Sequence, residues 1–186
     1  MIPIARPVSR RGEGRERVVQ AALDLFAVHG ISGTSLQMIA ESLGVTKASI
    51  YFQFRTKEEI VTAVLAPALE SLGDLVDRAE GLPGEEARRD AAVTGLVDLV
   101  VRHRRLVALL RGDPAIAIMM KAHEDHVGVV DRLGNLLLGT HPTPQTQVTM
   151  TMLGGGLMMS GADPELVGLP DDVLRAELLR CARALV

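Results

Sequence analysis

The sequence contains no tryptophan, and beyond Arg55 it contains no phenylalanine or tyrosine either. Its four aromatic side chains, Phe26, Tyr51, Phe52 and Phe54, all lie in the first third of the 186 residues. A body built from the residues after Arg55 has no ring face to offer, which excludes stacking and the aromatic cages that hold quaternary ammonium groups. Cysteine is almost absent. Cys181 alone rules out a disulfide within the chain and points to a reducing, cytoplasmic setting. No apolar run approaches the roughly 18–20 uncharged residues of a membrane span. Residues 1–14 carry Arg and Pro without a signal-like apolar core, so they read as a basic flexible arm and no membrane partner is expected.

What the chain does have is apolar content of 47%, enough for one large domain or two small ones. Charge is unevenly spread: residues 1–57 carry +4 and the remainder −7, within a net −3. That asymmetry suggests an anion-binding front on an acidic body, although chance partitioning of surface charge gives the same counts.

Apolar spacing is helical throughout. Positions 18, 22, 25 and 26, with His29 next on the same face, form one stripe that Gly30 ends. Thr34 and Gln37 read as a capping box opening a second helix, with Leu36, Ile39, Ala40 and Leu43 inward and Gly44 as its stop. Thr46 is placed to cap a third helix through about Phe52. Two short helices joined at a glycine turn make a helix-turn-helix. A fourth helix, 56–80, contains Pro67, which should bend it near Ala63. Further helices are expected over 85–102, 104–110, 114–138, 144–160 and 171–186, with Asp113 and Thr143 capping before Pro114 and Pro144. No segment reads as a strand, and the fold class is all-α. The expected division is an arm at 1–14, a three-helix helix-turn-helix domain at 15–56 and a larger helical domain at 57–186.

The run ALDLF, the following HG, the Thr34 turn, IA at 39–40 and LGVTKASIYFQFRTKEEI together resemble the N-terminal domain of the tetracycline-repressor (TetR) family of bacterial transcriptional regulators. Gly44-Val45-Thr46-Lys47, the Tyr51-x-x-Phe54 pair and Lys57-Glu58 carry most of the likeness. Ala48 stands where the family often has Gly, and Gln53 where it often has His, which bears on the bases read. The resemblance implies a recognition helix, Lys47 to Gln53, entering the major groove of double-stranded DNA. It carries DNA contacts to Ser35, Lys47, Ala48, Ser49, Tyr51, Gln53 and Lys57, with Thr46 as cap. Thr34 and Ser35 would offer backbone N–H groups to a phosphate, and Gln53 could read adenine through paired hydrogen bonds. Phe26, Phe52 and Phe54 are expected to fill the small core. Tyr51 is read as held by its ring with its hydroxyl free for a phosphate, the alternative being another core ring. Arg10, Arg11 and Arg15 are either further phosphate contacts or a solvated arm.

In the larger domain, His123 and His126, with His103 on another helix, have the spacing of a metal site, or of one packed and one half-exposed imidazole. Met119, Met120, Met150, Met152, Met158 and Met159 form three close pairs, suited to lining an adaptable apolar pocket or to ordinary core. Candidate ligand-binding residues are His103, Met119, Met120, His123, Met150, Met152 and Leu157, with Thr149 or Thr151 as polar anchors. Gly154-Gly155-Gly156 costs helix stability, which close approach of another helix or a local bend would justify. The family implies a dimer through the last two long helices. The stripe Leu174, Leu178, Cys181, Ala182 and Leu185 is too large to leave wet. Gly154 and Gly155 join it as dimerisation candidates.

These readings point to a homodimeric repressor released from a near-palindromic operator by a small, mainly apolar effector, with no cofactor. The rivals are a metal-dependent enzyme using the His123/His126 pair, for which no nucleophile, base and oxyanion constellation is found, and an effector-independent regulator.

Overall fold

The computed structural model describes residues 11–112, 124–139, 141–166 and 168–186, less the side chains of residues 11, 110–112, 124–127 and 162. Among them are nine helices and no strand: α1 (Arg11–Gly33), α2 (Leu36–Ser42), α3 (Lys47–Gln53), α4 (Lys57–Glu80), α5 (Glu85–Arg102), α6 (Arg104–Gly112), α7 (Glu124–Leu138), α8 (Pro144–Ala162) and α9 (Asp171–Leu185). The all-α class stands. The chain divides into two compact units, Met1–Leu65 and Ala66–Val186.

In the first unit, α1 begins at Arg11, so residues 11–14, expected in the arm, are helical. Gly30 breaks the helix as its position suggests, with φ 71° and ψ 167°, a combination open only to glycine. The cap of α2 differs from expectation. Ser35 has extended backbone and its hydroxyl accepts from the Met38 N–H at 3.2 Å, so Ser35, not Thr34, is the N-cap. Thr34 instead turns inward, 1% exposed, and donates its hydroxyl to the Gly30 carbonyl at 2.8 Å. It thereby satisfies an oxygen that the α1 break leaves without a helical partner. Gly44, at φ 64°, ends α2, with its N–H on the Glu41 carbonyl and that of Val45 on Ala40, both at 3.0 Å. Thr46 caps α3 as expected, accepting from the Ser49 N–H.

The interior of this unit is built from Val18, Ala22, Phe26, Ile31, Ile39, Ala40, Ile50 and Phe54, with Ile60, Val61, Val64 and Leu65 from the first turns of α4. Phe52 is not part of it: 80% of the side chain is exposed. Ile50 and Phe54 lie four residues apart and face inward; Phe52 lies halfway between them and so points away. His29 is likewise exposed rather than continuing the α1 stripe.

In the second unit, α5 packs against α7, α8 and α9, and α6 packs against α8. The core draws on Val93, Val97 and Val100 of α5, Leu137 of α7, Leu153 and Leu157 of α8, and Leu174, Leu178, Leu179 and Ala182 of α9. A β-carbon at Gly95 would collide with the Leu75 side chain, so this glycine sets how closely α4 and α5 approach. Arg183 bonds Asp90 at 2.9 Å and Arg175 bonds Asp98, both linking α9 to α5. Arg132 of α7 grips Asp77 and Glu80 of α4. These exposed pairs fix geometry more than they stabilise, at about 0–1 kcal/mol each. Thr143 and Thr146 close a capping box at the start of α8 behind Pro144, as expected. The helix α4 runs through Pro67, whose carbonyl accepts from the Ser71 hydroxyl at 2.7 Å.

The α9 stripe needs correction. Leu174, Leu178 and Ala182 are buried within their own subunit and leave no surface for a partner, whereas Cys181 and Leu185 are exposed. The segment 114–123 lies outside the described residues.

Candidate nucleic-acid interface

Two buried side chains orient α3. Ile50 and Phe54 sit in the core of the first unit, so the opposite face of the helix is free. Lys47, Ala48 and Ser49 are exposed there, and Tyr51 is 47% exposed. The Lys47 ammonium stands 5.7 Å from the centre of the Tyr51 ring, a cation–π contact that steadies both long side chains on one surface. The Thr46 and Ser49 hydroxyls lie 2.9 Å apart at the helix start. One face thus presents a cation, two hydroxyls, a phenol and a small residue that does not block close approach.

The far end of α3 is tied to α1. Arg15 donates to the Gln53 carbonyl at 3.3 Å, and its guanidinium lies 4.1 Å from the centre of the Phe54 ring. The guanidinium thus serves an end-of-helix oxygen and covers a core aromatic at once. The Gln53 carboxamide rests on Gly14. At the other side, the Lys57 ammonium donates to the Ile31 carbonyl at 2.9 Å and the Thr34 carbonyl at 3.2 Å. Lys57 therefore holds the α1–α2 turn and keeps one of its three donors for other use. Next to it, the Glu58 carboxyl is held below its ordinary value by its own backbone N–H and by the Thr56 hydroxyl.

Of the expected contact residues, the structure brings Ser35, Thr46, Lys47, Ala48, Ser49 and Tyr51 to exposed positions, with Gln53 and Lys57 half-buried. Thr34 is interior, with its N–H spent on the Ile31 carbonyl at 3.2 Å. Phe52 is an exposed member of this surface that sequence reading placed in the core. Arg15 and Gly14 carry no local signal of their roles, because both act across 38 or 39 positions of chain.

The family model described as "Bacterial regulatory proteins, tetR family" matches residues 18–64. This segment is a TetR-family domain. Over 88 residues, the chain is 36% identical to the HTH-type transcriptional regulator SrpR of Pseudomonas putida, covering 47% of this chain and 40% of that protein. It is 35% identical over 88 residues to the uncharacterized HTH-type transcriptional regulator TtgW, also of Pseudomonas putida, covering 47% of this chain and 63% of that one. The chain thus spans about half the length of these relatives. The solved structure of the ketosteroid transcriptional regulator KstR2 of Mycobacterium tuberculosis covers 98% of both chains with a TM-score of 0.70 at 18% identity, a likeness of fold. The helices beyond the TetR-family domain therefore follow the plan of at least one regulator of that description.

The candidate ligand residues within the described segments stand in different surroundings. Leu157 is core, Met152 is exposed, and Met150 lines an open cleft of about 170 Å³ with Leu137, Thr149, Leu185 and Arg89. His103 bonds the Ser71 hydroxyl at 3.3 Å, and burial, with Arg102 nearby, holds its pKa below the ordinary value. Met119, Met120 and His123 lie outside the described residues, as does the side chain of His126. Among the described residues no three His, Cys, Asp or Glu side chains converge as a metal site would. None of the described helices is long and apolar enough to cross a membrane.

Proposed function

We propose that this protein is a dimeric, ligand-responsive transcriptional repressor that reads DNA with α3. The observation that carries the reading is the free face of α3, with Lys47, Ala48, Ser49 and Tyr51 outward on a helix pinned from behind by Ile50 and Phe54. Lys47 and Tyr51 serve phosphates, Gln53 reads a base edge, and Ser35 and Lys57 flank the groove. The family match at 18–64 supports DNA as the partner.

Dimerisation is supported by the outer face of α8. Val148, Met152 and Met159 are exposed and share one side with Gly155, at helical spacing. Among the described residues a β-carbon at Gly154, Gly155 or Gly156 would meet nothing within 4 Å, so no contact with them accounts for the glycines. A second copy laid against this flat, apolar face does. Cys181 and Leu185 of α9 are also exposed.

The effector is an aliphatic or alicyclic, mainly apolar molecule with one or two polar groups. No aromatic residue follows Arg55, so neither subunit's body offers a ring to stack against. The buried Nε of Arg89 has no hydrogen-bond partner among the described residues, and a ligand acceptor would satisfy it. Ligand binding alters the spacing of the two reading heads through α4, which carries Pro67.

Selection of the full-length protein against randomised duplex DNA tests the reading. The expected result is a two-fold-related motif with half-sites about one helical turn apart. Binding with no sequence preference, or none at all, overturns it. A thermal-shift panel separates the effector classes: aliphatic ligands should stabilise, and stabilisation by planar cationic dyes alone contradicts the ligand assignment.

A further inference from the structure

We propose that Gly14 is a specificity-determining position, because its missing side chain seats the Gln53 carboxamide against α1 and so fixes how Gln53 faces a base. The proposal rests on the reading of α3 as the base-reading helix. A β-carbon built at Gly14 would lie 2.5 Å from Gln53 Nε2, 3.4 Å from its Cδ and 3.6 Å from its Oε1. The Nε2 end of the amide therefore lies in the space that a β-carbon would fill, with Cδ and Oε1 at ordinary contact distance from it. The adjacent Arg15 donates to the carbonyl of the same Gln53 at 3.3 Å. Consecutive residues of α1 hold both the main chain and the side-chain tip of the last residue in α3.

Nothing in α1 itself calls for glycine at this position. Gly14 is not among the glycines with positive φ, and it stands near the start of a helix, where alanine would be more stable. Gly12, two residues earlier, has nothing within 4 Å of a built β-carbon, so close packing is particular to Gly14. Glutamine recognises adenine by presenting one donor and one acceptor in a fixed plane. An unseated glutamine at a helix end samples many rotamers and dilutes that pattern. Seating the amide converts a flexible chain end into an oriented donor–acceptor pair, and α1 sets its orientation without touching a base.

The test compares full-length wild type, Gly14→Ala, Gln53→Ala and the double variant. Each is selected on randomised duplexes, then titrated against every single-base change in the wild-type motif. Gly14→Ala should weaken discrimination about tenfold at the position that Gln53→Ala also relaxes, and leave the other positions unchanged. In the Gln53→Ala background, Gly14→Ala should have no further effect, an outcome that a general change in fold would not give. Alanine favours the helix, so loss of folding is not the expected route to any change. An unchanged preference in Gly14→Ala, an equal loss at all positions, or an effect that persists without Gln53 overturns the proposal alone. A wild type that enriches no sequence removes the DNA-reading assignment, and this proposal with it.

Discussion

Phe52 and Phe54 are two residues apart and opposite in energetic consequence. Phe54 is fully buried beneath the Arg15 guanidinium, while Phe52 is 80% exposed beside Tyr51. Phe54→Ala should therefore destabilise the first unit by about 3–5 kcal/mol, and Phe52→Ala by less than about 0.5 kcal/mol. Urea unfolding read from helix content checks both, and a large loss for Phe52→Ala would place its ring in a contact that this surface does not show. His103 gives a pH signature in the second unit. Burial, then the Arg102 charge, hold its folded pKa below the ordinary 6.5. The folded state thus favours the neutral imidazole, and the unfolded chain takes up a proton first as pH falls. Stability is complete above about pH 6.5, declines as acid takes the pH from there through the lower folded pKa, and then levels off. His103→Gln should flatten that part of a melting-temperature profile between about pH 7 and 5; an unaltered slope assigns it to other groups.

At the scale of elements, glycines divide by what surrounds them. A β-carbon at Gly95 would strike Leu75, so Gly95→Ala forces the α4–α5 contact apart. Overpacking costs about 1–3 kcal/mol and the better helix propensity of alanine offsets about 1 kcal/mol, so the variant should melt lower than wild type. Gly154→Ala meets no such obstacle and should melt no lower in a monomeric state. Differential scanning calorimetry of the two variants reads both signs. Caps were legible in advance at Thr46 and Thr143, because each cap needs only its own next three residues. The α2 cap was placed one residue early. Thr34 and Ser35 are equivalent as local signals, and it is the Gly30 carbonyl, exposed by the break in α1, that draws Thr34 inward.

For the whole molecule, the exposed α8 face predicts association. Met152→Glu puts a charge at the middle of that face, where 58% of the native side chain is exposed within one subunit. The variant should keep wild-type helix content yet sediment as a monomer, and its affinity for a two-half-site duplex should fall at least about tenfold through loss of the joined second head. A variant that remains dimeric excludes α8 as the central contact. The α9 stripe shows why a sequence pattern can mislead. Leu174, Leu178 and Ala182 did signal a covered surface, but α5 and α8 of the same subunit cover it.

The sequence by itself determined the helical class, the helix boundaries near Gly30, Gly44 and Thr143, and the helix-turn-helix that residues 18–64 share with TetR-family proteins. Each rests on local preferences: apolar spacing within a turn or two, a hydroxyl followed by free N–H groups, or a φ that only glycine accepts. Tertiary structure alone decided that Phe52 looks outward and that Gln53 lies on Gly14. Two helical turns are too short for periodicity to define a face when apolar residues stand at 50, 51, 52 and 54. Only packing against α1 and α2 chooses among them, and those contacts join residues far apart in the chain.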